Sequence, residues 1–306
     1  MTGAPTSTYG EKSQLMRRAA FAAVTVSVVL VALKVAAYIV TGSVAMMSSL
    51  ADSALDLFAS GINLFAINQS LVPPDSEHRF GHGKVEPLAG LAQGAFITGS
   101  ATFLVIASIG RIVDPRPLDH PAIGLAVMAF SIAAVIGLVL FQRIAVLRTG
   151  SIAIQADRIH YLGDLATNIG VVIGIVLTTR FGILIADPLV ALGVAVVLVA
   201  SAWQIGTRSC DQLMDRELPE NERARIKSVV LSHPDVRSMH DLRTRAAGIS
   251  KFIQLHIEID PAVSLTRAHE ISDAVEADLL SAYPDAQVMI HQDPAGVEKP
   301  PPLARS

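Results

Sequence analysis

Predominantly apolar stretches of roughly 20 residues, the length that crosses a bilayer as a helix, recur six times along the chain. They run from Ala19 to Val40, Val44 to Ile67, Val85 to Ile112, Pro121 to Phe141, Ile152 to Thr178 and Pro188 to Ile205. Charged residues are sparse from Ala19 to Gly206 and dense from Thr207 to Ser306, so a membrane part is followed by a soluble part. Six spans put both termini on one side of the membrane.

Beyond Gly206 the pattern changes. Pro219 opens an amphipathic helix to about Leu231, strands follow at Val236 to Thr244 and Lys251 to Ile259, then a helix at Ser264 to Tyr283 and a strand at Ala286 to Gln292. In the second strand Ile253, Leu255, Ile257 and Ile259 alternate with Phe252, Gln254, His256 and Glu258, which puts His256 opposite the aliphatic face. The order helix, strand, strand, helix, strand predicts a ferredoxin-like αββαβ sandwich of the α+β class, with its helices on one face of the sheet. The predicted organisation is an N-terminal cytoplasmic tail at 1–15, a six-helix transmembrane domain at 16–206, a cytoplasmic metal-binding and dimerisation domain at 207–294, and a proline-rich disordered tail at 295–306.

Composition agrees with this division: 51% of residues are hydrophobic and 17% charged, and the mean hydropathy is +0.49. A net charge of -3 has no basic excess of the kind that nucleic acid attracts. Cys210 is the sole cysteine, which excludes an intramolecular disulfide and leaves metal binding to His and carboxylate. The polar stretch Met1 to Gln14 has no apolar core with a cleavage site, so no removable signal peptide is expected. Lys12, Arg17, Arg18, Arg79, Lys84, Arg143 and Arg148 flank the spans on the side of the termini, against Arg111, Arg116 and Arg180 opposite, and this asymmetry puts the termini in the cytoplasm. Lys34 falls near the outer end of the first span and is expected to snorkel to the interface. The glycine pairs Gly90/Gly94 and Gly170/Gly174 suit close helix packing.

The chemistry concentrates on two spans. Asp52 and Asp56 on the second, and His160 and Asp164 on the fifth, are each spaced i and i+4 and so share one helix face. At about 1.5 Å per residue, Asp56 and Asp164 lie roughly 15 to 20 Å deep, where an ionisable group is costly and marks a function. Three carboxylates and an imidazole complete a four-coordinate shell suited to Zn²⁺ or Cd²⁺, without excluding Fe²⁺ or Mn²⁺. With no neutralising Lys or Arg expected at that depth, protons and metal compete for the same oxygens, the physical basis of antiport. The competing structural reading is of buried carboxylates paired with polar groups.

Two further clusters are weaker on spacing alone. Asp75, His78 and His82 lie within eight residues between the second and third spans, where a small chelate and an ordinary solvated loop fit equally well. In the soluble part His240, His256, His269, His291 and Asp293 offer enough ligands for one or two metals, but no pair has a zinc-finger spacing. Enzyme motifs fail: His269 and Glu270 begin a HExxH-like string whose fifth residue is Asp273, and Gly81, Gly83 and Lys84 lack the first glycine of a phosphate-binding loop. A membrane-bound metal sensor that does not transport, and a membrane metal hydrolase, are the alternative classes.

The paired ligands, the string Phe80-Gly81-His82-Gly83-Lys84 and the ending Ile290-His291-Gln292-Asp293-Pro294 together resemble the cation diffusion facilitator family over nearly the whole chain. The runs Ala156-Asp157-Arg158-Ile159-His160-Tyr161 and His240-Asp241-Leu242-Arg243-Thr244-Arg245 resemble its bacterial ferrous-iron and zinc efflux branch. The resemblance implies a homodimeric transporter, not an enzyme, in the bacterial inner membrane, exchanging a divalent metal, most often Zn²⁺, for protons. It implies that Asp52, Asp56, His160 and Asp164 form the transport site, and that Asp75, His78 and His82 form a second at the membrane-cytoplasm junction. It further implies a binuclear cytoplasmic site, with His240 and His256 on one metal, His269 and His291 on the other, Asp293 bridging and Gln292 nearby. Lys84 and Asp215 are implied in a salt-bridge interlock between subunits.

Overall fold

The computed structural model describes residues 9–41, 44–113, 121–181 and 186–296. Two compact units divide the chain: residues 12–210 form one, and residues 211–306 together with the first eleven form the other.

The first unit is built of long helices: α1 (Tyr9–Thr41), α2 (Val44–Ser70), α3 (Val85–Val113), α4 (Pro121–Thr149), α5 (Ile152–Phe181) and α6 (Ala186–Leu213). They coincide with the six apolar stretches and extend past them by polar end turns. Small residues let the helices approach: Ala23 and Leu30 of α1 pack with Val135, Leu138 and Val139 of α4 and Tyr161 of α5, while Ile97 and Ala101 of α3 pack with Ala156 and with Ala195, Leu198, Ala202 and Ile205 of α6. Large apolar side chains such as Phe21, Phe65, Phe103, Val196 and Trp203 point outward, as lipid-facing positions do. Among the described residues four helices are long and apolar enough to cross a membrane, at Tyr9–Val40, Val85–Gly110, Ala126–Thr149 and Ala191–Leu213. α2 and α5, which carry Asp52, Asp56, His160 and Asp164, are not among those four.

Gly90 and Gly94 face α6. A Cβ on Gly90 would meet Ser209 Oγ at 2.5 Å and Ile152 Cγ2 at 2.9 Å. The β-branched Ile152 is stiff at χ1 and cannot swing clear, so Gly90→Ala is expected to destabilise the bundle by about 1–3 kcal/mol, read as a lowered thermal midpoint in detergent. The packing of Gly170 and Gly174 and the side chains of Arg111 and Arg180 are not described, and Arg116 and His120 lie outside the described residues.

One expectation for this unit is overturned. Lys34 does not extend to the interface: its Nζ donates to Ser53 Oγ at 2.6 Å and to the Ser49 carbonyl at 3.1 Å. The buried polar face of α2 gives the ammonium two acceptors at its own depth, so a cation does stand among the aspartates.

The second unit contains α7 (Glu220–Leu231), β1 (Ser238–Ala247), β2 (Ser250–Ile259), α8 (Leu265–Ala282) and β3 (Ala286–Pro294). Ser264 caps α8 by accepting a hydrogen bond from the Arg267 amide. In the sheet, β2 is central, antiparallel to β1 and parallel to β3. Ile253, Leu255, Ile257 and Ile259 on one face of β2 meet Ile226 and Val230 of α7 and Ile271, Val275 and Leu279 of α8 in a single core. The third strand runs two residues beyond the expected Gln292, because β2 and β3 stay in register as far as Ile259 and Pro294.

Candidate metal centres

Within the helical unit, Asp56 of α2 meets α5, where His160 and Asp164 occupy successive turns. His160 Nε2 lies 3.0 Å from Asp56 Oδ1 and 3.8 Å from Asp164 Oδ2. All three present ligand atoms within 4.8 Å of one another, and His160 is only 6% exposed. Asp52, one turn away on α2, stands outside this group and is exposed.

Sequence reasoning passed over the groups around this cluster. Asp157 is buried and its Oδ2 accepts from Gln142 Nε2 of α4 at 2.6 Å. Its position three residues before His160 was a usable signal, since 157, 160 and 164 share a helical face. The Tyr161 hydroxyl lies 2.6 Å from Ser27 Oγ of α1 and 2.7 Å from Ser60 Oγ of α2, tying three helices together beside the cluster.

The loop after α2 gathers the second set. Asp75 Oδ1 and Oδ2 lie 3.4 Å from His78 Nδ1 and 3.4 Å from His82 Nε2, and the two imidazole centroids are 4.5 Å apart. The fold of the loop explains the gathering. Asp75 Oδ1 accepts from the backbone amides of His78 and Glu77 at 2.6 and 2.9 Å, and Gly81 reverses the chain at φ +79, a left-handed conformation that favours glycine. The His78 amide, followed by that of Glu77, holds the Asp75 carboxyl below its ordinary 3.8. Asp75 therefore stays ionised, and keeps its capacity as a ligand, to lower pH than an ordinary aspartate. In a chain also carrying Asp56→Ala and Asp293→Ala, Asp75→Ala is expected to weaken zinc binding at this loop by about 100-fold or more, because it removes the carboxylate that both imidazoles face. Calorimetric titration measures it.

The third set lies on the sheet face away from the helices. His240, His256 and His291 form one row across β1, β2 and β3, since His240 pairs with His256 and His256 with His291. Two residues on, Asp293 is 2% exposed and touches all three: Oδ2 lies 2.8 Å from His256 Nδ1 and 3.3 Å from His240 Nε2, and Oδ1 lies 3.1 Å from His291 Nε2. His240, His256 and Asp293 bring their ligand atoms within 4.8 Å. A bulge follows His240, with Asp241 at φ +46, and Arg243 then holds the Asp241 carboxylate.

Two residues expected here are elsewhere. His269 is 72% exposed on α8 and faces Asp273 at 3.6 Å. Gln292 shares the opposite face of β3 with Val288 and Ile290, and its amide donates to Ser272 Oγ of α8 at 2.7 Å. Strand alternation forces this, since residue 292 must point away from its neighbours 291 and 293. Asp215, with a positive φ of 58, receives Arg245 Nη1 at 3.2 Å within its own unit.

Residues 20–214 match the family model described as the cation efflux transmembrane domain, and residues 218–295 match the cation efflux protein, cytoplasmic domain. The chain belongs to the cation efflux family. Among its relatives, the cation-efflux pump FieF of Cronobacter sakazakii is 42% identical over 284 residues, covering 93% of this chain and 94% of that protein. FieF of Pectobacterium carotovorum is 43% identical over 282 residues, covering 92% and 94%, and FieF of Salmonella newport 42% over 290 residues, covering 95% of each. Among solved structures, the zinc form of CzrB is 32% identical, covers 28% of this chain and 98% of that chain, and has a TM-score of 0.27. A MamM CTD in its cadmium form is 26% identical, covers 24% and 95%, and has a TM-score of 0.24. This cation efflux protein is thus a membrane transporter of divalent metal cations and not an enzyme, with a helical membrane domain and an α+β cytoplasmic domain.

Proposed function

We propose that the chain exports Zn²⁺ across the bacterial inner membrane in exchange for protons, working by alternating access as a homodimer with both termini in the cytoplasm and six spans per subunit. The buried cluster of Asp56, His160 and Asp164 carries this reading. It offers mixed nitrogen and oxygen ligands to a borderline-soft cation, and its carboxylates and imidazole bind protons whenever the metal is absent. Asp52, one turn along α2, completes a four-ligand shell when that helix turns during the transport cycle. Cd²⁺ and Fe²⁺ satisfy the same ligands and are the competing cargoes.

Asp75, His78 and His82 serve as a junction site, and the row His240, His256 and His291 with Asp293 as a regulatory site. His269 and Gln292 lie off that cluster within one chain. In the proposed binuclear arrangement His269 joins it only through movement of α8 or contact with a second subunit, while Gln292 stays on the far face of β3. Lys84 and Asp215 are assigned to the subunit interlock, with Arg245 fixing the direction of the Asp215 carboxylate.

Metal uptake into proteoliposomes under an imposed pH gradient tests the reading. Zinc flux that follows the gradient and is electrically matched by proton movement supports antiport. Binding of zinc without flux supports a membrane-bound sensor instead, and cadmium, iron and manganese run in parallel name the preferred cargo.

A further inference from the structure

In the row of histidines on the sheet, Asp293 meets His240 at Nε2. The other ring nitrogen, Nδ1, is buried and has no hydrogen-bond partner, and Oε1 of Glu258 stands 3.7 Å from it. The register puts Glu258 there: its Cα partners are Ser238 on β1 and Asp293 on β3, and it lies two residues beyond His256 on the same face of β2. Two carboxylates therefore flank one imidazole, one at each nitrogen. Among the described residues His240 is the ionic neighbour of the Glu258 side chain.

We infer that Glu258 is a positioning residue for the cytoplasmic metal site, accepting a hydrogen bond from the Nδ1–H of His240 so that the Nε2 lone pair is aimed at the cation beside Asp293. The inference rests on the proposed reading of that cluster as a metal site. An imidazole coordinates through one bare nitrogen, and the proton on the other needs an acceptor that fixes tautomer and ring plane. The 3.7 Å gap exceeds hydrogen-bond range, but a glutamate with three rotatable bonds closes it by a shift of about 1 Å at its tip. His256 offers the contrast: its outer nitrogen faces Asp241 at 3.8 Å, and Asp241 is already held by Arg243 at 3.0 Å. Glu258 has no such competitor among the described residues.

Zinc titration by calorimetry on the full-length protein in detergent, in an Asp56→Ala background, separates the roles. Glu258→Leu is expected to weaken cytoplasmic zinc binding about 10- to 100-fold. Glu258→Asp should weaken it nearly as much, because removing one methylene withdraws the acceptor by about 1.5 Å. Glu258→Gln keeps both reach and an acceptor oxygen and should cost only about threefold. The reverse order, with Asp mild and Gln severe, overturns positioning in favour of direct ligation or bare charge, and wild-type affinity in all three overturns any role. Should the leucine variant fail to fold by circular dichroism, the Asp and Gln pair still decides. His256→Ala is the control: if it leaves zinc stoichiometry unchanged, the cluster is not a metal site and both readings fall together, whereas a lost equivalent with a silent Glu258 series overturns this inference alone.

Discussion

Replacing Asp56 with alanine is expected to abolish zinc flux in proteoliposomes, by roughly 100-fold or more, while the chain remains folded. Asp56 is the α2 contribution to a cluster otherwise built on α5, and it meets His160 Nε2 at 3.0 Å. Without it the observed group is reduced to the imidazole and Asp164 on one helix, and even with Asp52 the proposed four-ligand shell stays one short. The packing cost is small, because Asp56 is partly exposed and sits beside Ser53 and Ser60, which are engaged by Lys34 and Tyr161 rather than by Asp56. Flux within tenfold of wild type would mean that Asp52 takes over, and would remove Asp56 from the transport shell.

Asp293→Ala should have the second-largest effect, in a different observable. One carboxylate, 2% exposed, is shared by His240, His256 and His291. Its loss removes the common anionic ligand and leaves three imidazoles facing an apolar methyl. Cytoplasmic zinc binding is expected to fall by about 100-fold or more, seen as loss of bound equivalents in calorimetry. Transport should persist, with half-maximal flux displaced to higher metal concentration. Flux as completely lost as in Asp56→Ala would overturn the division between a transporting and a regulating site.

The apolar runs place the six long helices, but among the described residues four of them are long and apolar enough to cross a membrane, because polar residues on α2 and α5 dilute the signal there. The αββαβ order was legible from the apolar pattern too: in β2 the alternation of Ile253, Leu255, Ile257 and Ile259 fixes both the strand and its buried face. Periodicity sets which residues share a side, and Asp56 does meet His160 and Asp164, but periodicity does not bring Asp52, one turn away on α2, into their group. Rotation of one helix against another is not written in any single stretch. Lys34 turns to Ser49 and Ser53 because of how α1 docks on α2, and Asp157 finds Gln142 because of how α4 docks on α5. The loop triad needed the turn made by Asp75 and Gly81 before its spacing could mean anything. Gln292 was misplaced for a simpler reason, since strand alternation applied to His291 and Asp293 already excludes it from their face.

The hydroxyl of Tyr161 sets the spacing of three helices beside the buried cluster. Bonded to Ser27 and Ser60 at 2.6 and 2.7 Å, it clasps α5 to α1 and α2 next to Asp56 and His160. Spreading α2 from α5 parts the Ser60–Tyr161 hydrogen bond, at about 1 kcal/mol. The gap between α2 and α5 is thereby held by a pair of hydroxyls that lie outside the group formed by Asp56, His160 and Asp164.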